Sequence, residues 1–454
     1  MKTFQVINPY TGEEGQAHPA ASDEVIEQIV AAAHSEYNGG MNRDQVKERA
    51  AIVTRIADLL AERANEFGEI IVREMGKPLA QAVGEVEFSA DIFRYFADNA
   101  EEFLADEQIP AGAGTAWIRK SPIGPILGIM PWNFPIYQIA RFAGPSIVLG
   151  NPVLVKPAQQ CPESSAALEA LIHEAGLPIG GYQNVLADND QIAAMIDDPR
   201  IQGVSLTGSE RAGAIVGAAA GANLKKSVLE LGGSDPFILM STDDMDATVE
   251  AAVAARIDNN GQACNGAKRF VIIDSLYEEF AEKFSAAMGA ITVGDPMEEG
   301  TELGPMCSLA AAKGLEEQVA EAVAAGATLR VGTGKRDGTK FAPAVLENIS
   351  PENPAYITEF FGPVAQLHRV SSEEEAIVLA NATPFGLGSY VFTTDAEQAD
   401  RLADGIDAGM VYINEVGADA PELPFGGVKN SGTGRELGAH GIDEFMNRKL
   451  VKRP

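Results

Sequence analysis

Cys264 stands in the segment Asn259-Asn260-Gly261-Gln262-Ala263-Cys264-Asn265-Gly266. Small and amide residues on both sides leave a sulfur approachable and offer backbone donors beside it, whereas a structural cysteine normally lies in an apolar run. The setting suits a nucleophile. An ordinary thiol is only a few per cent ionised at pH 7, so a positive charge or a base must stand near it. Glu230, in Leu229-Glu230-Leu231-Gly232-Gly233, is a carboxylate within an apolar strand that stops at paired glycines. Burial would raise its pKa toward neutrality, as a general base requires, although a buried salt bridge has the same signature. Pro131-Trp132-Asn133-Phe134-Pro135 fixes one amide between rigid neighbours. Such a neutral donor aimed at a developing alkoxide makes an oxyanion hole, while a Pro-aromatic turn with a solvated asparagine is the plainer alternative.

Other segments bear on cofactors and metals. There is no GxGxxG fingerprint, but the stretch 203–209 runs from a strand into a turn at Gly208 and Ser209, with Gly213 inside the next helix. A glycine turn leading into a helix N-terminus can hold a phosphate, and an ordinary strand-to-helix turn looks the same. His18, His34, His173, His368 and His440 form no HxxxH pair and none lies near a cysteine, so no metal site is expected. A Cys–His hydrolase stays open, because triad members meet in space. Cys161 and Cys307 read as filler.

These residues need a large, fully folded frame. The 454 residues exceed a single core and imply two or three domains; 46% are hydrophobic and 22% charged, as in globular proteins. With 34 Lys plus Arg against 65 Asp plus Glu, the net charge of −31 repels a polyanionic backbone and argues against nucleic acid. The same acidity would keep the surface hydrated in concentrated salt, and an ordinary acidic cytosolic protein would share it. Three cysteines without a CxxC pair suit a reducing compartment, and the polar N-terminus has no signal-peptide pattern, so cytoplasmic residence is expected. The apolar stretch 122–155 holds six prolines and Arg141, which excludes a lipid-facing helix, and reads as buried strand and loop.

Helix-period stretches at 45–67 and 84–104 precede alternating units: strands near 153–155, 182–186 and 203–206, with helices at 161–175, 191–196 and 211–222. A second set joins strands at 227–231, 236–240 and 269–273 to helices at 243–257 and 276–287, followed by strand–helix pairs at 365–380 and 388–403. Repeated βα units imply doubly wound parallel sheets. The Gly/Pro-rich stretches 109–114 and 423–434 mark boundaries or surface hairpins.

Taken in order, these segments resemble the NAD(P)-dependent aldehyde dehydrogenase superfamily. The matches are Asn8-Pro9 with Thr11-Gly12-Glu13, the Pro131 to Pro135 segment, Lys156-Pro157-Ala158, Thr207-Gly208-Ser209 with Gly213, Glu230-Leu231-Gly232-Gly233, Gly261-Gln262-Ala263-Cys264, Glu359-Phe360-Phe361-Gly362-Pro363, and Pro424-Phe425-Gly426-Gly427-Val428-Lys429. They cover nearly the whole chain. The resemblance implies Cys264 as nucleophile, Glu230 as base, and Asn133 with the Cys264 main-chain N–H as oxyanion donors. It further implies Lys156 and Glu359 on the two cofactor riboses, Ser209 on a phosphate, and Trp132 and Phe361 flanking the cofactor. An aldehyde would then become an acid through a cysteine thiohemiacetal and a thioester.

The resemblance implies an α/β fold of two doubly wound parallel-sheet domains with a small oligomerisation hairpin and tail. Residues 1–108 and 122–229 would bind NAD(P), 230–425 would form the catalytic domain, and 109–121 with 426–454 would join subunits into a dimer or tetramer. The chain starts almost directly at Asn8-Pro9, and that short start, with the 422–432 segment, looks like the short succinate-semialdehyde dehydrogenases. Arg141 matches the arginine such enzymes turn toward the substrate carboxylate; a permanent salt bridge to a protein acid is the alternative. Asp258 stands where some of them have a second arginine. Gln159 replaces a glutamate that NAD-preferring members carry three residues after the ribose lysine, which favours NADP while leaving NAD possible. The expected reaction is succinate semialdehyde to succinate, with a broader or sugar-derived aldehyde as the rival. A catalytically silent binding protein or a thiol esterase are the readings from other classes.

Overall fold

The computed structural model describes residues 3–39 and 45–454. Six strands form one sheet in the order Gly432–Thr433, Lys226–Glu230, Gly203–Thr207, Ile126–Ile129, Val153–Lys156, Tyr182–Asn184, parallel except for the antiparallel Gly432–Thr433 edge. Its crossovers are helical, as parallel neighbours require: Pro162–Glu174 links Val153–Lys156 to Tyr182–Asn184, and Glu210–Ala222 links Gly203–Thr207 to Lys226–Glu230. Alternation along the strands fills both faces. Ile126, Val153 and Val228 enter one core, and Leu127, Leu154 and Val204 enter the other.

A second sheet runs Thr328–Val331, Ala344–Glu347, Val364–Val370, Ala267–Ile273, Asp235–Leu239, Tyr390–Phe392, Tyr412–Ile413, with only Thr328–Val331 antiparallel. Phe237 and Phe270 face one core and Ile238 and Val271 the other. A third, antiparallel sheet joins Met446–Arg453 to Thr115–Pro122 and Glu107–Ile109.

Several elements differ from the sequence expectation. The stretch 122–155 is not only strand and loop: Tyr137–Leu149 is a helix whose thirteen residues are all buried, with Pro145 inside it. A helix buried on every side has no clear amphipathic period, and a proline reads as a helix breaker. The stretch 45–67 is broken at Arg63 (φ −115°, ψ 22°) between Val46–Glu62 and Ala64–Met75. Glu230 closes a strand of the first sheet, paired with Thr207, and the chain crosses to the second sheet only after Gly232 and Gly233. The tail also returns to that crossing: Leu231 N–H donates to Ser431 O at 2.9 Å and Ser431 Oγ to Gly232 O at 2.6 Å. No helix among the described residues is long and apolar enough to cross a membrane.

Candidate active site

The carboxyl ends of the first sheet's parallel strands collect most of the singled-out segments. Met130 to Asn133 follow Ile126–Ile129, Lys156 ends Val153–Lys156, Gly208 and Ser209 follow Gly203–Thr207, and Glu230 ends Lys226–Glu230. In open α/β sheets this edge is where ligands bind. Cys264 approaches from the second sheet, on the loop entering Ala267–Ile273.

That loop is held by the amides around it. Asn259, Asn260 and Gly261 are all left-handed, at φ 53°, 59° and 72°. A Cβ at Gly261 would lie 2.4 Å from the Gly362 carbonyl carbon, so glycine is required there. Asn260 Nδ2 donates to the carbonyls of Gly76 and Pro305, both at 2.9 Å. Asn259 Nδ2 donates to Asn133 O at 2.9 Å and to Gln262 O at 3.0 Å. Lys268, fully buried, donates to the carbonyls of Ala263 (2.9 Å) and Cys264 (2.6 Å) and lies 3.5 Å from Glu359 Oε1.

Cys264 is half-buried and opens onto a cavity of about 680 Å³ lined also by Phe134, Tyr137, Gln138, Tyr390 and Phe425. Burial pushes its thiol up to about 12, against the pull of the nearby Arg141 and Lys268 charges. Asn133 is buried and its Nδ2 donates to Gln262 O at 3.2 Å, which ties the Pro131–Pro135 turn to the cysteine loop. Glu230 is buried with neither oxygen hydrogen-bonded; a Cβ at Gly426 would lie 2.7 Å from its Oε1. Burial holds that carboxyl well above its usual range, with Arg141 opposing and Glu436 reinforcing.

Arg141 departs from its expected place. It is fully buried, does not line the cavity, and its Nε lies 2.6 Å from Glu436 Oε2. The guanidinium carbon lies 4.1 Å from the Phe425 ring centre and 4.9 Å from that of Tyr137, and Ser205 Oγ donates to Glu436 Oε1 at 3.2 Å. The anion that a buried guanidinium needs is therefore a protein carboxylate, and Arg141 reaches the cavity as charge and not as contact.

The remaining site residues could hold a dinucleotide. Ser209 caps the thirteen-residue helix Glu210–Ala222, and its side chain accepts from Ala212 N–H at 3.4 Å. A Cβ at Gly208 would meet only Leu206, at an unstrained 3.9 Å, whereas a Cβ at Gly213 would come within 2.5 Å of Leu231. Glu359 Oε1 accepts from Gly233 N–H at 3.1 Å, and a Cβ at Gly232 would meet Glu359 Oε2 at 2.6 Å, so the paired glycines form the bed for this carboxylate. Trp132 and Phe361 meet edge to face, centroids 5.7 Å apart. Lys156 Nζ lies 5.6 Å from the Phe4 ring centre, and Gln159 is exposed, its main-chain carbonyl accepting from Gln5 N–H at 2.8 Å.

The aldehyde dehydrogenase family profile matches residues 1–451. The chain belongs to the aldehyde dehydrogenase family. This aldehyde dehydrogenase is 46% identical over 453 residues, 99% of its own length and 95% of the other's, to a succinate-semialdehyde dehydrogenase [NADP(+)] of Deinococcus radiodurans. It is 44% identical to succinate-semialdehyde dehydrogenase [NADP(+)] 1 of Mycobacterium tuberculosis over 98% of both chains. Its fold superposes on a succinic semialdehyde dehydrogenase from Streptococcus pyogenes, solved with NADP+ as the cofactor, with a TM-score of 0.97 at 39% identity, covering 99% and 100% of the two chains.

Sequence reasoning missed several residues of this aldehyde dehydrogenase. Lys77 and Glu85 form a fully buried pair at 2.6 Å, with Lys77 3.8 Å above the Phe134 ring. Glu85 Oε1 also accepts the N–H groups of Ile136 (2.9 Å) and Tyr137 (3.2 Å), fixing the turn just beyond Asn133. Lys268 carried a usable signal, a charge inside an apolar strand four residues after the cysteine, the same signal that marked Glu230.

Proposed function

We propose that this chain oxidises succinate semialdehyde to succinate with NADP+. The observation that carries the chemistry is the Cys264 sulfur at the cavity, under the electrostatic influence of the buried, unpartnered Glu230 carboxyl, with the Asn133 amide tied to the same loop through Gln262 O. Cys264 adds to the aldehyde carbonyl as its thiolate, aided by the Arg141 and Lys268 charges. The oxygen that becomes negative is held by the Asn133 amide and the Cys264 main-chain N–H, groups fixed before the reaction and so costing no reorganisation. NADP+, when bound, accepts the two electrons and one proton that the aldehyde gives up. Glu230 then takes a proton from water, whose oxygen attacks the resulting thioester and releases the acid and the thiol.

Ser209 with its helix N-terminus is suited to a phosphate and Lys156 and Glu359 to the riboses, while Trp132 and Phe361 flank the site. NADP+ is favoured over NAD+ because Gln159 is a neutral amide near Lys156, where a 2′-phosphate meets no carboxylate, and because the relatives are named for NADP(+). A terminal carboxylate on the substrate is supported by the same names and by the Arg141 charge behind the cavity wall. A neutral hydroxylated aldehyde is the second reading, favoured by Asp258, Glu302 and Asp419 on that wall. A panel of succinate semialdehyde, butanal and a hydroxylated aldehyde, each with both cofactors, tests the proposal. Equal kcat/KM for succinate semialdehyde and butanal would end the carboxylate reading.

Assembly into a dimer or tetramer is supported by Met446–Arg453, a largely exposed edge strand of the three-stranded sheet. Three free cysteines suit the cytoplasm.

A further inference from the structure

One polar side chain on the cavity wall is left unsatisfied by the fold and unused by the chemistry above. Gln138 is fully buried, lines the cavity that Cys264 opens onto, and has no hydrogen-bond partner for either Nε2 or Oε1. Its main-chain N–H donates to Phe134 O at 3.1 Å, so the first turn of Tyr137–Leu149 holds it in place. Buried side-chain amides are nearly always paired, and one kept unpaired on a ligand cavity is a hydrogen-bonding position for the ligand.

Much of the remaining wall is already engaged. Lys77 is paired with Glu85 at 2.6 Å, and Tyr390 OH donates to Asn265 O at 2.7 Å. Asp419 accepts from Tyr412 OH at 2.6 Å and from Asn265 Nδ2 at 3.0 Å. Among the described residues of the wall, Gln138 is the one whose side-chain donor and acceptor are both buried without a partner. A carboxylate is acceptor-only and needs a donor. Arg141 stands three residues further along the same helix, so the two side chains share a face. Its guanidinium is already gripped by Glu436.

We propose that Gln138 is the specificity-determining residue of this site, donating from Nε2 to the distal carboxylate of the semialdehyde while Arg141 supplies charge without contact. This role presupposes the semialdehyde substrate proposed above. It divides recognition of the anion between a neutral contact and a remote cation, and explains how the chain can select a carboxylate although Arg141 is already paired.

The test is steady-state kinetics of the full-length enzyme with NADP+, using succinate semialdehyde and butanal, which has the same carbon count without the carboxylate. Gln138→Met keeps the side chain's length and removes its donor. The ratio of kcat/KM for succinate semialdehyde over butanal should fall about ten- to a hundredfold, the loss expected for a hydrogen bond to a charged group, and chiefly through KM. Gln138→Glu, of nearly the same size, should lower the ratio further by setting like charges together, and carries the test if the methionine variant does not fold. A ratio unchanged in both variants overturns the role of Gln138 while leaving the substrate assignment standing. A parent enzyme without preference for succinate semialdehyde overturns both.

Discussion

Replacing Glu230 by Gln separates the two halves of the reaction. The carboxyl is buried and neither oxygen is hydrogen-bonded among the described residues, so the substitution removes a proton acceptor without breaking a hydrogen bond. Burial raises this group well above the usual carboxylate range, which makes its ionised form a stronger proton acceptor. A positioned general base contributes typically about 10²- to 10⁴-fold, which is roughly 2.7–5.4 kcal/mol of barrier at 1.36 kcal/mol per decade. Steady-state kcat should drop by that factor. The first turnover should survive, because thioester formation ends before water is needed. Rapid mixing with aldehyde and NADP+, followed by absorbance of the reduced nicotinamide, should show a burst near one equivalent per Cys264 and almost no turnover after it. Loss of burst amplitude in proportion to turnover would show that Glu230 acts before the thioester, or that the variant is misassembled. A kcat within about threefold of the parent would remove Glu230 from the chemistry.

Three further outcomes follow from the same geometry. With its thiol held at about 12, Cys264 of the cofactor-free enzyme should be alkylated by iodoacetamide far more slowly at pH 7.5 than free cysteine, with a rate still rising above pH 9; mass spectrometry of the modified peptide reads this, and a plateau near pH 8 would contradict it. Lys77→Met should cost about 3 kcal/mol or more by leaving Glu85 buried without its cation, and Lys77→Met with Glu85→Gln should recover part of the loss. Denaturant unfolding of the four proteins in that cycle checks the coupling, and strictly additive losses would deny it. Gln159→Glu should shift the NADP+/NAD+ ratio of kcat/KM toward NAD+ by about tenfold or more by placing a carboxylate near Lys156; an unchanged ratio would move cofactor choice elsewhere.

What was legible in the sequence was whatever a short segment settles by itself. Glu230 at the end of an apolar strand, the glycine turn at Gly208 before a capped helix, and the small, amide-rich loop around Cys264 each have a local physical reason. All lie at strand ends or on the loop between the sheets. The buried helix Tyr137–Leu149 was missed because a segment buried on every side has no clear period to read, and its polar members, Gln138 and Arg141, then look like isolated irregularities. Arg141 shows the second limit. Its type and spacing correctly mark a buried cation that needs an anion, but whether that anion is a substrate or Glu436 is decided by the tail, where Glu436 exchanges main-chain hydrogen bonds with Phe425 at 2.7 and 2.8 Å and thereby reaches the guanidinium. The consequence is chemical as well as structural. A guanidinium paired directly with Glu230 would hold that carboxylate ionised and low, a poor base; with Glu436 taking the pair, Glu230 keeps the high proton affinity that its burial gives it, and Arg141 still lends its field to Cys264.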